Sequence, residues 1–259
     1  MAPMDDPNVV KALASIVDRN EISDTVFGGE VNPIFSMVPP GFLGASEAFD
    51  TMYTAPNLDA AKSFLEASGY SESNPLEFEL WYPPEHYGTQ TAAWVQVIQK
   101  ELEATGMIKV TLQSQEWSTY VTACTGGEAY AACVLGWFYD YPDASNYMEP
   151  FIYNGGQGTN ISPAEAGTDY GKPINEKAQQ LVDLMTQSDV ETDLTKRADL
   201  LMQAQEVYAD LVVTLPLFLN PEYIVYRDNI QASSDHPSPE NLNIGGTIEF
   251  DYSVLTKTP

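Results

Sequence analysis

Between Leu76 and Leu112 the apolar period of the chain changes twice, and this stretch limits the fold more than any other. Leu76, Phe78 and Leu80 alternate with Glu77, Glu79 and Trp81, the two-residue period of a half-buried strand. From Thr91 to Thr105 the residues Trp94, Val95, Ile98 and Leu102 recur at helical spacing, and the run stops at Gly106. Ile108, Val110 and Leu112 then alternate again. Strand, helix and strand with short links form a βαβ unit, whose strands pair in parallel through a right-handed crossover. The chain is therefore expected to be an α/β protein, with helices flanking a sheet.

A chain of 259 residues can bury a substantial core as one large domain or two small ones. Its 37 acidic and 11 basic residues give a formal charge of -26, which repels nucleic acid and anionic lipid surfaces and excludes both as partners. The uncharged run around Tyr130 to Tyr139 falls far short of the roughly 20 apolar residues that cross a bilayer. Met1 to Asp6 carries neither the basic region nor the apolar run of a secretory signal. Either the protein is cytoplasmic or an export signal lies upstream of Met1.

The other elements read in order. Asn8 to Asp18 places Val9, Ala12, Leu13, Ile16 and Val17 on one helical face, and Gly28-Gly29 with Pro33, Pro39, Pro40 and Gly41 marks a turn-rich connector. A helix begins at Asn57 and ends at Gly69, and another spans Glu116 to Thr122. Asn154 to Gly158 lacks the Lys and Ser/Thr of a phosphate-cradling loop. Ala178 to Met185 marks one helix, and a longer one from Leu194 to Leu211 is opened by Thr192 or Asp193. Val212 to Phe218 and Tyr223 to Tyr226 read as strands, the first broken by Pro216 as in an edge or crossing segment. From Asn229 the tail is polar and turn-rich.

Cys124 and Cys133 flank a turn-like stretch, so they can form a disulfide or stay free. His86 and His236 lie far apart and no cysteine pair has ligand spacing, which leaves no zinc site and no Cys-His nucleophile. Both histidines read as surface loop residues.

Ala131 to Phe138 is continuously apolar, as in a strand covered on both faces, and it runs into Asp140 and then Pro142. Alternation places Trp137 and Tyr139 on one face, with Phe138 and Asp140 on the other. Aromatic walls and one fixed charge suit recognition of a small polar molecule, because rings give contact area at low entropy cost while the acid orients the ligand. Trp81, at the end of its strand, either lines a cleft or covers the sheet.

The order of these signals resembles the C-terminal half of the peptide/nickel-type solute-binding proteins of ABC importers, solute-binding protein family 5. The resemblance rests on Asp6-Pro7-Asn8-Val9 with Asp18-Arg19-Asn20-Glu21-Ile22, and on Val26-Phe27-Gly28-Gly29 before Pro39-Pro40. It continues through Asp59-Ala60-Ala61-Lys62 to Gly69-Tyr70, Glu101-Leu102, Glu116-Trp117 with Tyr120, and Gly136-Trp137 with Asp140-Tyr141-Pro142-Asp143 and Asn146. Arg197 through Gln205 to Leu215-Pro216-Leu217 completes it. Val10 stands where the family often has Arg, so any ion pair made there is lost.

The resemblance implies a type II periplasmic-binding-protein-like fold, a mixed sheet with flanking helices forming one lobe of two. Residues 1–228 would be this ligand-binding lobe, and 229–259 a tail returning to an N-terminal lobe placed before Met1. In peptide-binding relatives the acid of the matching motif holds the ligand's α-ammonium group, which here gives Asp140. Trp137 maps to the motif's aromatic and, with Tyr139, Trp81 and Trp117, is expected to bind ligand. Asp143 is expected to cap the following helix, a structural role shared with Cys124 and Cys133.

The function implied is capture of peptide-like solutes outside the cytoplasm and delivery to an ABC transporter permease by a monomer, without enzymatic chemistry, metal or cofactor. A second reading keeps the fold and stacks an oligosaccharide on Trp81, Trp117 and Trp137. A third makes Asp140 and Asp143 the paired acids of a glycoside hydrolase. A fourth holds that this lobe alone binds weakly and exposes apolar surface near Trp137.

Overall fold

The computed structural model describes residues 1–126, 129–153, 156–159, 161–162, 171–220, 227, 229–231 and 255–257. Helix α1 (Pro7–Ile16) opens where Asp6 accepts the Asn8 N–H at 2.9 Å and Pro7 brings a preset φ. Asp18 opens α2 (Arg19–Phe27) by accepting from the N–H groups of Asn20 and Glu21, and Gly28 closes it in the left-handed region at φ 63°. A short strand β1 (Asn32–Pro33) and helix α3 (Ala48–Tyr53) follow within the turn-rich connector. Helix α4 (Leu58–Ala67) is capped by Asn57, as its sequence indicates.

The βαβ unit forms as β2 (Leu76–Tyr82), α5 (Thr91–Glu103) and β3 (Ile108–Ser114). The two strands are parallel, with Leu76 opposite Ile108 and Tyr82 opposite Ser114. Leu76, Phe78 and Leu80 are buried while Glu77 and Glu79 face solvent, so the period of the sequence becomes the two faces of the sheet. Helix α6 (Trp117–Thr125), opened by Glu116, leads to β4 (Ala132–Cys133), which pairs parallel to β2 and completes the order β3-β2-β4.

The expected strand from Ala131 to Phe138 is thus reduced to two residues. In parallel register with Leu80–Ala132 and Trp81–Cys133, the next positions of β2 run into Pro83 and Pro84, which offer no N–H. The chain leaves the ladder at Val134, whose N–H goes to Trp81 O at 3.0 Å and to the Tyr120 hydroxyl at 2.8 Å. Continuous burial is lost as well: Gly136 and Phe138 are exposed.

Helices α7 (Ser145–Ile152), α8 (Glu176–Val190) and α9 (Leu194–Leu211) form the rest of the helical part, with Asn175 and Asp193 as the caps of the last two. Val212 to Phe218 is not a strand. Only β5 (Phe218–Leu219) pairs, antiparallel to β1, while Pro216 lends its carbonyl to Arg19 Nε at 2.7 Å. The proline interruption has the expected consequence of a crossing segment: Leu215 packs against both cores. Strands β6 (Ile230–Gln231) and β7 (Thr256–Lys257) pair antiparallel. The expected strand Tyr223 to Tyr226, most of the tail and His236 lie outside the described residues.

Two apolar cores result. One joins α1, α4, α5, β2 and β3 around residues such as Val9, Leu65 and Val95, and the other joins α3, α7, α8 and α9 around Phe49, Met148 and Tyr208. Arg19 is 2% exposed, with its guanidinium 5.2 Å from the Phe35 ring and 5.6 Å from that of Phe49. Burial lowers its pKa to about 10. No helix of the described residues is long and apolar enough to cross a membrane.

Candidate functional site

In open parallel sheets ligands meet the carboxyl ends of the strands, where the loops converge. Here these ends are Tyr82, Ser114 and Cys133, followed by 83–90, 115–116 and 134–143. The third of these segments carries the motif singled out from sequence.

Although it leaves the ladder, 136–140 keeps a strand's alternation. Trp137 and Tyr139 are half-buried, while Gly136, Phe138 and Asp140 are exposed, Phe138 at 50%. Trp137 meets Phe151 edge-on at 5.6 Å, and Tyr139 meets Phe42 at 5.3 Å and Tyr147 at 5.8 Å. These contacts anchor the segment in the helical core, and the opposite face presents Phe138 and Asp140.

Asn146, 4% exposed on α7, fixes the turn after the segment. Its Oδ1 accepts the Trp137 indole N–H at 3.3 Å and the Asp140 backbone N–H at 2.8 Å. Asp140 is thereby held by its backbone, while its carboxylate has no hydrogen bond or ion pair among the described residues. Asp143 accepts the Ser145 N–H at 2.9 Å just ahead of α7, whose N-cap position is Ala144 rather than the expected Asp143. It also takes two hydrogen bonds from Arg197, at 2.7 and 2.8 Å, a role the sequence did not indicate. Burial pushes the Asp143 pKa up, but the bonds from Arg197 and Ser145 outweigh it and hold the group below its ordinary value. A carboxylate committed to arginine is unavailable as the second acid of a hydrolase.

The other two tryptophans expected to bind ligand stand at the first two strand ends. Trp81 stacks on Tyr130 at 4.4 Å and donates its indole N–H to Glu79, and Trp117 stacks on His86 at 3.4 Å. One face of each ring is thus covered from within the chain. Tyr120 lies between them, 5.8 Å from Tyr130 and 6.1 Å from Trp117. The Cys124–Cys133 disulfide ties α6 to β4 beside this ladder of rings.

Tyr87, which the sequence reading passed over, joins the ladder to the motif. Its ring meets Trp117 edge-on at 5.8 Å, and its hydroxyl accepts the Gly136 N–H at 2.7 Å. A Cβ on Gly136 would stand 2.6 Å from Tyr87 Cε1, which explains glycine before the motif's tryptophan. No periodicity marks Tyr87, because its partner lies 49 residues away.

Two cavities border these elements. A larger one of about 1380 Å³ is lined from both cores and includes Tyr87, Trp137, Phe138, Tyr139 and both half-cystines. A smaller one of about 390 Å³ is lined by Pro83, Pro84, Glu85, His86, Ser114, Gln115, Glu116 and Trp117. Trp81 and Asp140 line neither cavity, so the five expected ligand residues do not share one wall.

Residues 1–159 match the family model described as bacterial extracellular solute-binding proteins, family 5 Middle. The chain belongs to that family. It is 30% identical over 229 residues to the periplasmic oligopeptide-binding protein OppA of Haemophilus influenzae, covering 86% of this chain and 39% of that protein. Against the oligopeptide-binding protein OppA of Bacillus subtilis it is 28% identical over 235 residues, covering 88% and 40%. The crystal structure of a periplasmic oligopeptide-binding protein, OppAIV, from Borrelia burgdorferi has a TM-score of 0.74 at 21% identity, covering all of this chain and 46% of that one. The fold is thus periplasmic-binding-protein-like, and the chain spans about two-fifths of the length of its curated relatives.

Proposed function

We propose that this chain is the motif-bearing lobe of a substrate-binding protein that captures peptides outside the cytoplasm and delivers them to the permease of an ABC importer. The observation that carries this reading is the Asp140 carboxylate, exposed and without a partner among the described residues, on a segment fixed by Asn146, Phe151 and Phe42. A fixed anion suits an ammonium group, since a charge-assisted hydrogen bond discriminates against ligands that lack the cation. The exposed Phe138 and the apolar cavity beside it offer surface for the body of a peptide. The names of the two OppA relatives support a peptide as cargo.

Binding without chemistry is supported by the engagement of Asp143 with Arg197, which takes one of the two candidate acids out of play. Closure of a second lobe would desolvate the Asp140–ammonium pair and strengthen it.

The test is calorimetry on the full-length protein with a tripeptide and its N-acetylated form. Asp140→Asn is expected to weaken the free-amine peptide by about 2–5 kcal/mol and leave the acetylated one unchanged. Equal affinity of wild type and variant for the free amine removes Asp140 from the site.

A further inference from the structure

The smaller cavity is not lined by Asp140. It sits at the carboxyl ends of β2 and β3, one residue from the ring that carries Gly136: His86 lines it and Tyr87 adjoins it. It is an open depression whose lining includes Pro83, Pro84, the His86–Trp117 stack, Glu85 and Glu116, and of these only Pro83 is buried and Trp117 half-buried. Glu116 is fixed, because one of its oxygens accepts from both the backbone N–H and the hydroxyl of Ser118. These bonds hold its pKa below the ordinary carboxylate value, so it stays charged near neutrality. The Glu85 carboxylate has no partner among the described residues.

No internal cation can answer these charges from nearby in sequence, since neither Lys62 to Lys100 nor Lys109 to Lys172 contains an intervening lysine or arginine. Lys109, the basic residue nearest Glu116 in sequence, pairs with Glu77, and Arg197 with Asp143. Apolar rings along the walls with two acids among them match a long aliphatic or planar stem that ends in a positive charge. A volume of about 390 Å³ accommodates one such side chain.

From this we infer that the cavity of Pro83, His86, Glu85, Glu116 and Trp117 is a specificity pocket for a lysine or arginine side chain of the bound peptide. The inference rests on the peptide-binding reading above and adds a preference to it. The same chemistry also fits a free amine such as a polyamine, so the source of the cation has to be tested.

Calorimetry on the full-length protein with a tripeptide series varying one position among Lys, Arg, Ala and Glu tests the pocket. Lys and Arg peptides are expected to bind about tenfold more tightly than the Ala peptide, and Glu about tenfold more weakly, with both differences shrinking at high salt. Glu85→Gln, alone and with Glu116→Gln, should reduce the preference while leaving the Ala peptide's affinity unchanged. Glu85→Gln keeps the test valid if loss of the Ser118 contacts unsettles α6.

Equal affinity for all four peptides overturns the pocket while the peptide-binding reading stands. A basic preference that persists in the double variant moves the cation to another place and overturns it too. Spermidine binding as tightly as the Lys peptide overturns a peptide side chain as the occupant. Failure of every peptide to bind overturns both the function and the pocket.

Discussion

Arg197 grips Asp143 through two parallel hydrogen bonds and donates its Nε–H to Ser188 O at 3.0 Å, so one guanidinium ties the motif turn to both α8 and α9. The pair is mostly shielded, with side-chain exposures of 18% and 27%. Lysine cannot reproduce a planar fork, so Arg197→Lys is expected to cost about 1.5–3 kcal/mol by urea denaturation. The Asp143 pKa is depressed in the folded state, so the stabilisation is present above the unfolded pKa of about 3.9 and lost as pH falls through the folded value. A wild-type-like midpoint in Arg197→Lys, or an unaltered acid limb, would show the pair to be solvated and weak.

Gly136 and Tyr87 form the second joint of the site. Gly136→Ala would push a methyl group against the ring of Tyr87, which has to turn away and give up the 2.7 Å bond from the Gly136 N–H. The expected loss is about 1–3 kcal/mol, the usual cost of overpacking, with a change in near-ultraviolet circular dichroism as Tyr87 leaves Trp117. In the Tyr87→Ala background the same substitution should be close to neutral. Additive losses in the double variant would place the strain elsewhere.

The βαβ unit was legible because Leu76, Phe78 and Leu80 state a strand's period locally, and Asp6, Asp18, Asn57 and Asp193 are caps that act within three residues. Helix α3 lies in a stretch whose Gly and Pro residues read as connector, and α2 ends just before it without a periodic apolar face to mark it. The length of β4 was not legible, because it depends on Pro83 and Pro84, which follow a strand some fifty residues earlier. The facing of Trp137 and Asp140 followed from alternation even without a ladder. What covers Trp81 and Trp117, Tyr130 and His86, is set by tertiary packing that no spacing encodes.

Glu101 gives the pH dependence an opposite sign. Burial raises its pKa to about 8, helped by the charges of Asp18 and Glu21 and opposed by the Asp18 N–H and Lys100, and its Oε1 is buried without a hydrogen bond. A carboxyl group raised above its unfolded value of about 4.3 stabilises fully below that pH, and the contribution drains away as pH rises through about 8. Glu101→Gln keeps an oxygen for the Asp18 N–H, bonded at 3.2 Å in the wild type, and removes the titration. Because solvent reaches part of the group, the expected gain at pH 8.5 is about 1 kcal/mol rather than the full shift, and near zero at pH 4. A gain equal at both pH values would rule out titration as its source.

The Cys124–Cys133 bond and Tyr120 act on the same point, the departure of the chain from β4. The disulfide closes a loop across a sequence separation of nine, for which chain entropy gives about 2–3 kcal/mol. Tyr120 is fully buried, and its hydroxyl serves both Val134 N–H and Val134 O, so Tyr120→Phe takes away the donor to the Val134 carbonyl while the Val134 N–H keeps Trp81 O, at a cost of about 1–3 kcal/mol. Residues that share one backbone segment should couple. Reducing the disulfide releases Tyr130 from over Trp81 and loosens Val134, so Tyr120→Phe is expected to cost less in the reduced protein than in the oxidised one. Equal costs in the two redox states, measured by denaturant titration with and without reductant, would show that the tyrosine alone sets where the strand ends.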